Sequence, residues 1–277
     1  MQFAELSVDE YDRFCALIYK VAGIRIPPNK KVMITNRLRR RLRATGIEGF
    51  SAYYTFLTSP AGGAEMPQFL DEITTNETYF HRDVHHFDWL SDSFFPEIAA
   101  AGRLGKRPKR LRIWSAAAST GEEPYSIALR LAALKHQFVG WTTHLLGTDI
   151  SAAALAAARV ASYDDRSVRL IRPDDRARYF DHDENAQRWI LKPEIRSMVT
   201  WKLHNLMSPL REEPFDCIFI KNVLIYFDTS SKLTVTRNLI GALAKGGYLV
   251  VGPTEGIYSM LDPLEKLKPW LYRRSPD

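Results

Sequence analysis

The run Ile113-Trp114-Ser115-Ala116-Ala117-Ala118-Ser119-Thr120-Gly121-Glu122-Glu123-Pro124-Tyr125-Ser126-Ile127 narrows the choice of fold more than any other part of this chain. It begins as an apolar strand, passes through small residues and continues as a helix that opens on two glutamates. Small side chains let the backbone come close to a ligand. A strand–loop–helix junction of this kind in an open α/β sheet is where nucleotide-like ligands sit. The acids decide which kind of ligand. Two carboxylates at a helix start repel a phosphate, which would want free N–H groups and a lysine. They suit an amino group, a sulfonium or a ribose.

The rest of the chain after residue 110 agrees with that junction. Leu111–Trp114 reads as a strand, Pro124–Lys135 as a helix and Thr143–Leu146 as a second strand ending at Gly147-Thr148-Asp149. Ser151 caps an alanine-rich helix. Phe215–Ile220 is a third strand, Ser230–Ala244 a helix stopped at Lys245-Gly246-Gly247, and Tyr248–Val251 and Trp270–Arg273 are further strands. This alternation predicts a doubly wound α/β domain, residues 111–277, with a mostly parallel sheet covered on both faces. Within it, residues 162–205 break the pattern. Charged helical material at Arg172–Tyr179 and two strand-like runs, Arg188–Lys192 and Met198–Leu203, predict a small antiparallel β subdomain. Residues 1–90 read as an all-helical N-terminal domain that starts on the capping box Ser7-Val8-Asp9-Glu10. Residues 91–110, with Gly105 and Pro108, read as a linker.

Hydrophobic content of 45% and charged content of 25% are ordinary for a protein with a full core. Cys15 and Cys217 lie far apart with no metal-ligand spacing, and no metal is expected. No apolar run reaches the roughly 18 residues a bilayer span requires, and Met1–Phe14 shows no targeting segment, so a cytoplasmic protein with no direct membrane insertion is expected. The net charge of +6 is concentrated: between Lys30 and Arg43 lie seven basic residues and no acid, with Ile34, Leu38 and Leu42 at helical spacing. Such a cationic helix face is commonly just solvated. No nucleic-acid-binding signature accompanies it, and an acidic protein surface is the alternative partner.

In a doubly wound sheet the ligand lies across the carboxyl ends of the central strands. Those ends carry Ser115–Glu123, Asp149, Asn205 and Asn222. An acid after the second strand commonly takes ribose hydroxyls, although Asp149 also reads as a simple helix cap. No G-x-G-x-x-G is present, which excludes the usual dinucleotide site and leaves S-adenosylmethionine as the natural occupant. His85-His86 are adjacent and cannot easily share a metal on a helix, and Cys217 reads as a small core residue.

Thr74-Thr75-Asn76-Glu77-Thr78-Tyr79-Phe80-His81-Arg82-Asp83, Trp114–Ser126 and Asn222–Asp228 closely resemble the chemotaxis receptor methyltransferases, the CheR family, and the resemblance runs over nearly the whole chain. It implies a class I methyltransferase-like fold and methyl transfer from S-adenosylmethionine to glutamates of bacterial chemoreceptors, leaving S-adenosylhomocysteine. It further implies that Asn76, Thr78 and Arg82 contact the cofactor from the helical domain, and that Glu123 and Asp149 bind its amino-acid and ribose ends. Asn205-Leu206 would lie beside the adenine, Lys221-Asn222 at the cofactor, and Tyr226 near the reacting methyl, so that Arg82 and Tyr226 carry the chemistry. Lys221 stands where the family usually has arginine, and Gly252-Pro253-Thr254-Glu255 where it usually has Gly-His-Ser-Glu. A cofactor-binding scaffold without catalysis is the alternative that these two departures raise.

The partner implied is the cytoplasmic domain of a methyl-accepting chemoreceptor, met by a monomer and not by nucleic acid. Arg37, Arg39, Arg40 and Arg43 are expected to form the docking face. Some relatives hold a receptor-tail pentapeptide on the β subdomain through a glycine-rich loop. Here Phe180–Arg188 contains no glycine and carries Asp181, Asp183 and Glu184, so no pentapeptide-tether binding is expected.

Overall fold

A computed structural model describes residues 5–277. The chain opens with helices α1 (Val8–Ala22), α2 (Lys31–Thr45), α3 (Phe50–Thr58) and α4 (Met66–Ile73). Ser7 caps α1 as the sequence predicts, its hydroxyl accepting from the Glu10 amide while Glu10 returns the bond. These helices bury a core of their own around Phe14, Tyr53 and Phe69. The helical reading fails between Thr74 and Asp83, which form an irregular segment across the end of the sheet. It fails in the other direction after residue 90. Short α5 (Val84–Trp89) runs through a π turn, Leu90–Phe94, into α6 (Phe95–Arg103), so most of the expected linker is helix. Phe94, Phe95 and Ala99 are fully buried in the core under the sheet. Those buried aromatics, not Gly105 or Pro108, decide the conformation.

β1 (Arg110–Ala116), α7 (Glu122–Ala133), β2 (Thr142–Asp149) and α8 (Ala152–Val160) follow in the alternation of a wound α/β sheet. The small unit comes next: β3 (Ser162–Tyr163), α9 (Asp165–Val168), α10 (Pro173–Tyr179), β4 (Phe180–Asp183), β5 (Arg188–Leu191) and α11 (Pro193–Arg196). The chain returns through β6 (Val199–Leu203), β7 (Phe215–Ile220), α12 (Thr229–Ala242), β8 (Leu243–Val251), β9 (Glu265–Lys268) and β10 (Leu271–Arg273). The large sheet has the order β6-β2-β1-β7-β8-β10-β9. Its first five strands are parallel, and β10 and β9 close it antiparallel. One face packs on α5–α7, the other on α12. Among the described residues no helix is long and apolar enough to cross a membrane.

Two details differ from the sequence reading. Val199–Leu203 does not pair within the small unit but joins the large sheet parallel to β2. The partner of β5 is instead Phe180–Asp183, read above as a glycine-free loop. The hairpin turn works without glycine because Asp183 Oδ1 accepts from the amides of Asn185 and Ala186, both at 3.0 Å, and Gln187 takes the positive φ, 51°. Further on, α12 stops at Ala242, ahead of Gly246-Gly247. The two glycines lie inside β8, where its register against β7 shifts.

Candidate functional site

The loop after β1 is built by backbone that side chains normally resist. Ala117 and Ser119 have φ of 61° and 51°, and Gly121 at 99° starts α7. A Cβ on Gly121 would press on Ala158 and the Trp201 ring at 3.0 Å, so only glycine lets the helix sit this close. Asp149 fastens the loop: its Oδ2 accepts from the Ser119 amide at 2.8 Å and its Oδ1 from the Ser151 amide at 2.9 Å. Capping of α8 falls to the Ser151 hydroxyl. Asp149 is therefore more than a cap: each oxygen keeps further acceptor capacity, and the residue lines the cleft. Burial pushes its carboxyl above the ordinary range against the pull of those amides.

The two glutamates of α7 separate. Glu122 is buried beneath the loop and accepts from Thr120 Oγ1 at 2.7 Å, whereas Glu123 reaches the cleft. Its Oε1 accepts from Ser115 Oγ at 2.7 Å, and its Oε2 lies 3.6 Å from Lys221 Nζ.

On the far side, the turn Asn222–Tyr226 is organised by Glu255, which is fully buried. The Glu255 carboxylate accepts from the amides of Asn222, Val223 and Leu224. Asn222 sits at φ 59°, a conformation that asparagine tolerates better than most residues. The helical domain holds the same turn: Ile24 bridges Phe227, and the Arg25 amide donates to the Tyr226 carbonyl at 2.8 Å. Tyr226, at 38% exposure, lines the cleft.

These pieces enclose a cleft of about 650 Å³ between the helical domain and the carboxyl ends of the sheet. Such a volume suits a drug-sized organic ligand. Asn76, Thr78, Arg82, Glu123, Asp149, Asn205, Leu206, Lys221, Asn222 and Tyr226 all line it, so residues from five separate stretches of sequence meet there. The groups present fit an adenosyl amino acid. Two buried carboxylates, Glu123 and Asp149, meet its amine and hydroxyl donors, and Ser119 Oγ and Asn222 Oδ1 line the cleft as buried polar atoms without a protein partner. Atoms of that kind are costly unless something bonds them.

A profile described as the CheR methyltransferase all-alpha domain matches residues 9–74, and one described as the CheR methyltransferase SAM binding domain matches residues 76–270. The chain belongs to the CheR methyltransferase family. Similar relatives include a probable chemotaxis protein methyltransferase of Rhizobium etli, 36% identical across 87% of this chain and 90% of its own length. The chemotaxis protein methyltransferase of Borreliella burgdorferi is 32% identical across 98% and 95%, and that of Salmonella typhimurium 34% across 98% and 92%. The cleft thus lies where the all-alpha domain meets the S-adenosylmethionine-binding domain of a CheR-family methyltransferase.

Inside this CheR cleft some side chains do other work than their position suggests. Asn205 spends its amide within the protein, Nδ2 donating to the Val21 carbonyl at 2.7 Å and Oδ1 accepting from Met207 N at 3.0 Å. It ties the helical domain to the sheet. Arg37 does not lie on the solvent face of α2. Its guanidinium reaches the carbonyls of Ile73 and Thr74 and the Thr75 hydroxyl, holding the segment that leads to Asn76. Arg40 pairs with Glu72 on α4, Arg43 is exposed and Arg39 half-buried. Arg82 lines the cleft with Nη1 on the Glu77 carbonyl at 3.2 Å, and the neighbouring Asp83 pairs with Lys221, so the Arg82 side chain is not spent on Asp83. The roles of Glu255, under the Asn222 turn, and of Asp83, on Lys221, were not read from the sequence, where Asp83 stood as a possible partner of Arg82. The only signal for Glu255 was its place in the Gly252–Glu255 motif, and for Asp83 its place after Arg82.

Proposed function

We propose that this chain transfers a methyl group from S-adenosylmethionine to glutamate side chains on the cytoplasmic domain of a methyl-accepting chemoreceptor, forming methyl esters. The observation that supports the reading is that Arg82 and Tyr226 line the same cleft as Glu123 and Asp149. When bound, S-adenosylmethionine supplies an electrophilic methyl on a sulfonium. Glu123 would receive its amino group and Asp149 its ribose hydroxyls, with Asn76, Thr78, Leu206, Lys221 and Asn222 lining the walls. An acceptor glutamate is ionised near neutral pH, its ordinary pKa being about 4.3, and so needs no general base. What it needs is aim, and orientation alone lowers barriers by several kcal/mol. The Arg82 guanidinium offers a planar fork to that carboxylate, and the Tyr226 hydroxyl a second contact. The held turn at Asn222–Tyr226 and the Arg37 anchor hold two stretches of the cleft lining in advance.

Incubation with radiolabelled S-adenosylmethionine and receptor signalling domains tests the reading. Base-labile label on receptor glutamates is the expected result. Cofactor binding with no transfer to any receptor would reject it in favour of a scaffold.

A further inference from the structure

The end of β7 delivers Lys221 to a place without solvent, its side chain only 2% exposed. Its Nζ donates to the Arg82 carbonyl at 2.5 Å, lies 3.3 Å from Asp83 Oδ2 and 3.6 Å from Glu123 Oε2, and stands 5.0 Å above the Phe87 ring. The segment it touches is turned twice through the left-handed region, at His81 (φ 56°) and Asp83 (φ 60°). Non-glycine residues stay there only when their surroundings hold them. One hold is the His81 amide on Ser126 Oγ at 2.9 Å, another the Phe80 amide on the Ser167 carbonyl at 2.9 Å; Lys221 holds the turn from the sheet side. We propose that Lys221 is a positioning residue of the cleft, which draws the Arg82–Asp83 turn onto the sheet and balances the charge of Glu123 so that this carboxylate can receive the ligand's amino group.

The inference rests on the reading that Glu123 takes that amino group. Two acids, Asp83 and Glu123, share one amine, and a buried carboxylate without a cation takes up a proton instead. Burial already pushes the Glu123 carboxyl up, opposed chiefly by Lys221 and then by the Ser115 hydroxyl. Other titratable groups here are Cys217, on β7 beside Glu123, and His86, which faces Lys221 from α5. Burial pushes the first up and the second down, so neither supplies a charge in Lys221's place.

The test is calorimetric titration of S-adenosylhomocysteine, without receptor, across pH 6 to 8.5. Lys221→Arg should follow wild type at every pH. Lys221→Met should bind more weakly at low pH and recover with rising pH by up to about tenfold per unit as Glu123 regains its charge. A Lys221→Met protein that folds and binds like wild type, or is weakened equally at every pH, overturns the proposal. Should Lys221→Met not fold, the double variant Asp83→Asn with Lys221→Met removes one charge of each sign and is held to the same two outcomes. Wild-type protein that does not bind S-adenosylhomocysteine would sink the reading of the cleft itself, and this inference with it.

Discussion

Single residues in this chain carry opposed electrostatic duties. His81 and His86 are buried among aromatic rings, which pushes their imidazoles from 6.5 down to about 4 and about 2. The unfolded chain binds protons near pH 6.5 that the folded histidines refuse. Each therefore withdraws stability as the pH falls below 6.5, by up to about 1.4 kcal/mol per pH unit. Glu122, Glu123, Asp149 and Glu255 run the other way, since burial raises them and the folded state holds protons that the unfolded state has shed. A difference measurement isolates one histidine. Relative to wild type, the melting temperature of His86→Phe should rise as the pH goes from 7 to 5, whatever its offset at pH 7; a constant offset rejects the assignment. Asp149→Ala should weaken S-adenosylhomocysteine by about 1–3 kcal/mol, the scale for hydrogen bonds to a charged group, and unchanged calorimetric affinity would remove Asp149 from the ribose. Asp149 was legible because strand, loop and helix fix where an acid after β2 must stand. Glu255 was not, because nothing local marks a carboxylate that will accept three amides from a turn more than thirty residues back in the chain.

At the scale of elements, hydrophobic pattern and caps located most helices, but strand pairing stayed hidden. A five-residue strand such as Val199–Leu203 does not declare its partner. Its burial alternates weakly, and the choice of β2 follows from Trp201 packing over Gly121 and Gly147, contacts made only after folding. The same limit explains β4. In the small sheet, ordered β3-β5-β4, that strand is an edge carrying Asp181 and Asp183. An added strand would find free backbone groups but an acidic rim, a common guard against edge pairing. Titration of an acidic receptor-tail pentapeptide is expected to give no micromolar binding, and a measurable heat at that level would reverse this view. The basic face of α2 is to be read without Arg37, whose guanidinium is occupied with Ile73, Thr74 and Thr75. Replacing Arg39, Arg40 and Arg43 with glutamate should raise the receptor KM and leave S-adenosylhomocysteine affinity unchanged, and added salt should have the same effect on the wild type. Turnover indifferent to both changes would move receptor docking elsewhere.

Taken whole, the molecule owes its cleft to two domains that sequence patterning reads as neighbours but cannot dock. Their joint mixes backbone bonds, the Ile24–Phe227 bridge and the Arg25 amide on the Tyr226 carbonyl, with side-chain bonds from Asn205 Nδ2 to the Val21 carbonyl, from the Tyr19 hydroxyl to Asp228 and from the Ala153 amide to Asp71. Bonds between partners so far apart in the chain leave no signature in local periodicity, which is why the two halves of the site were legible and their closure was not. The joint also makes one amide proton a gauge. Arg25 N–H is covered only while the helical domain rests on the Asn222–Phe227 turn, so its hydrogen-exchange rate reports how often the two part. If a ligand must leave before that parting, saturating S-adenosylhomocysteine should slow exchange at Arg25 by the same factor as at the Leu249 amide in the sheet interior, because both openings then require an empty cleft. Exchange at Arg25 left unslowed while Leu249 slows would mean that the domains part with the cofactor still in place, and that its retention does not depend on their closure.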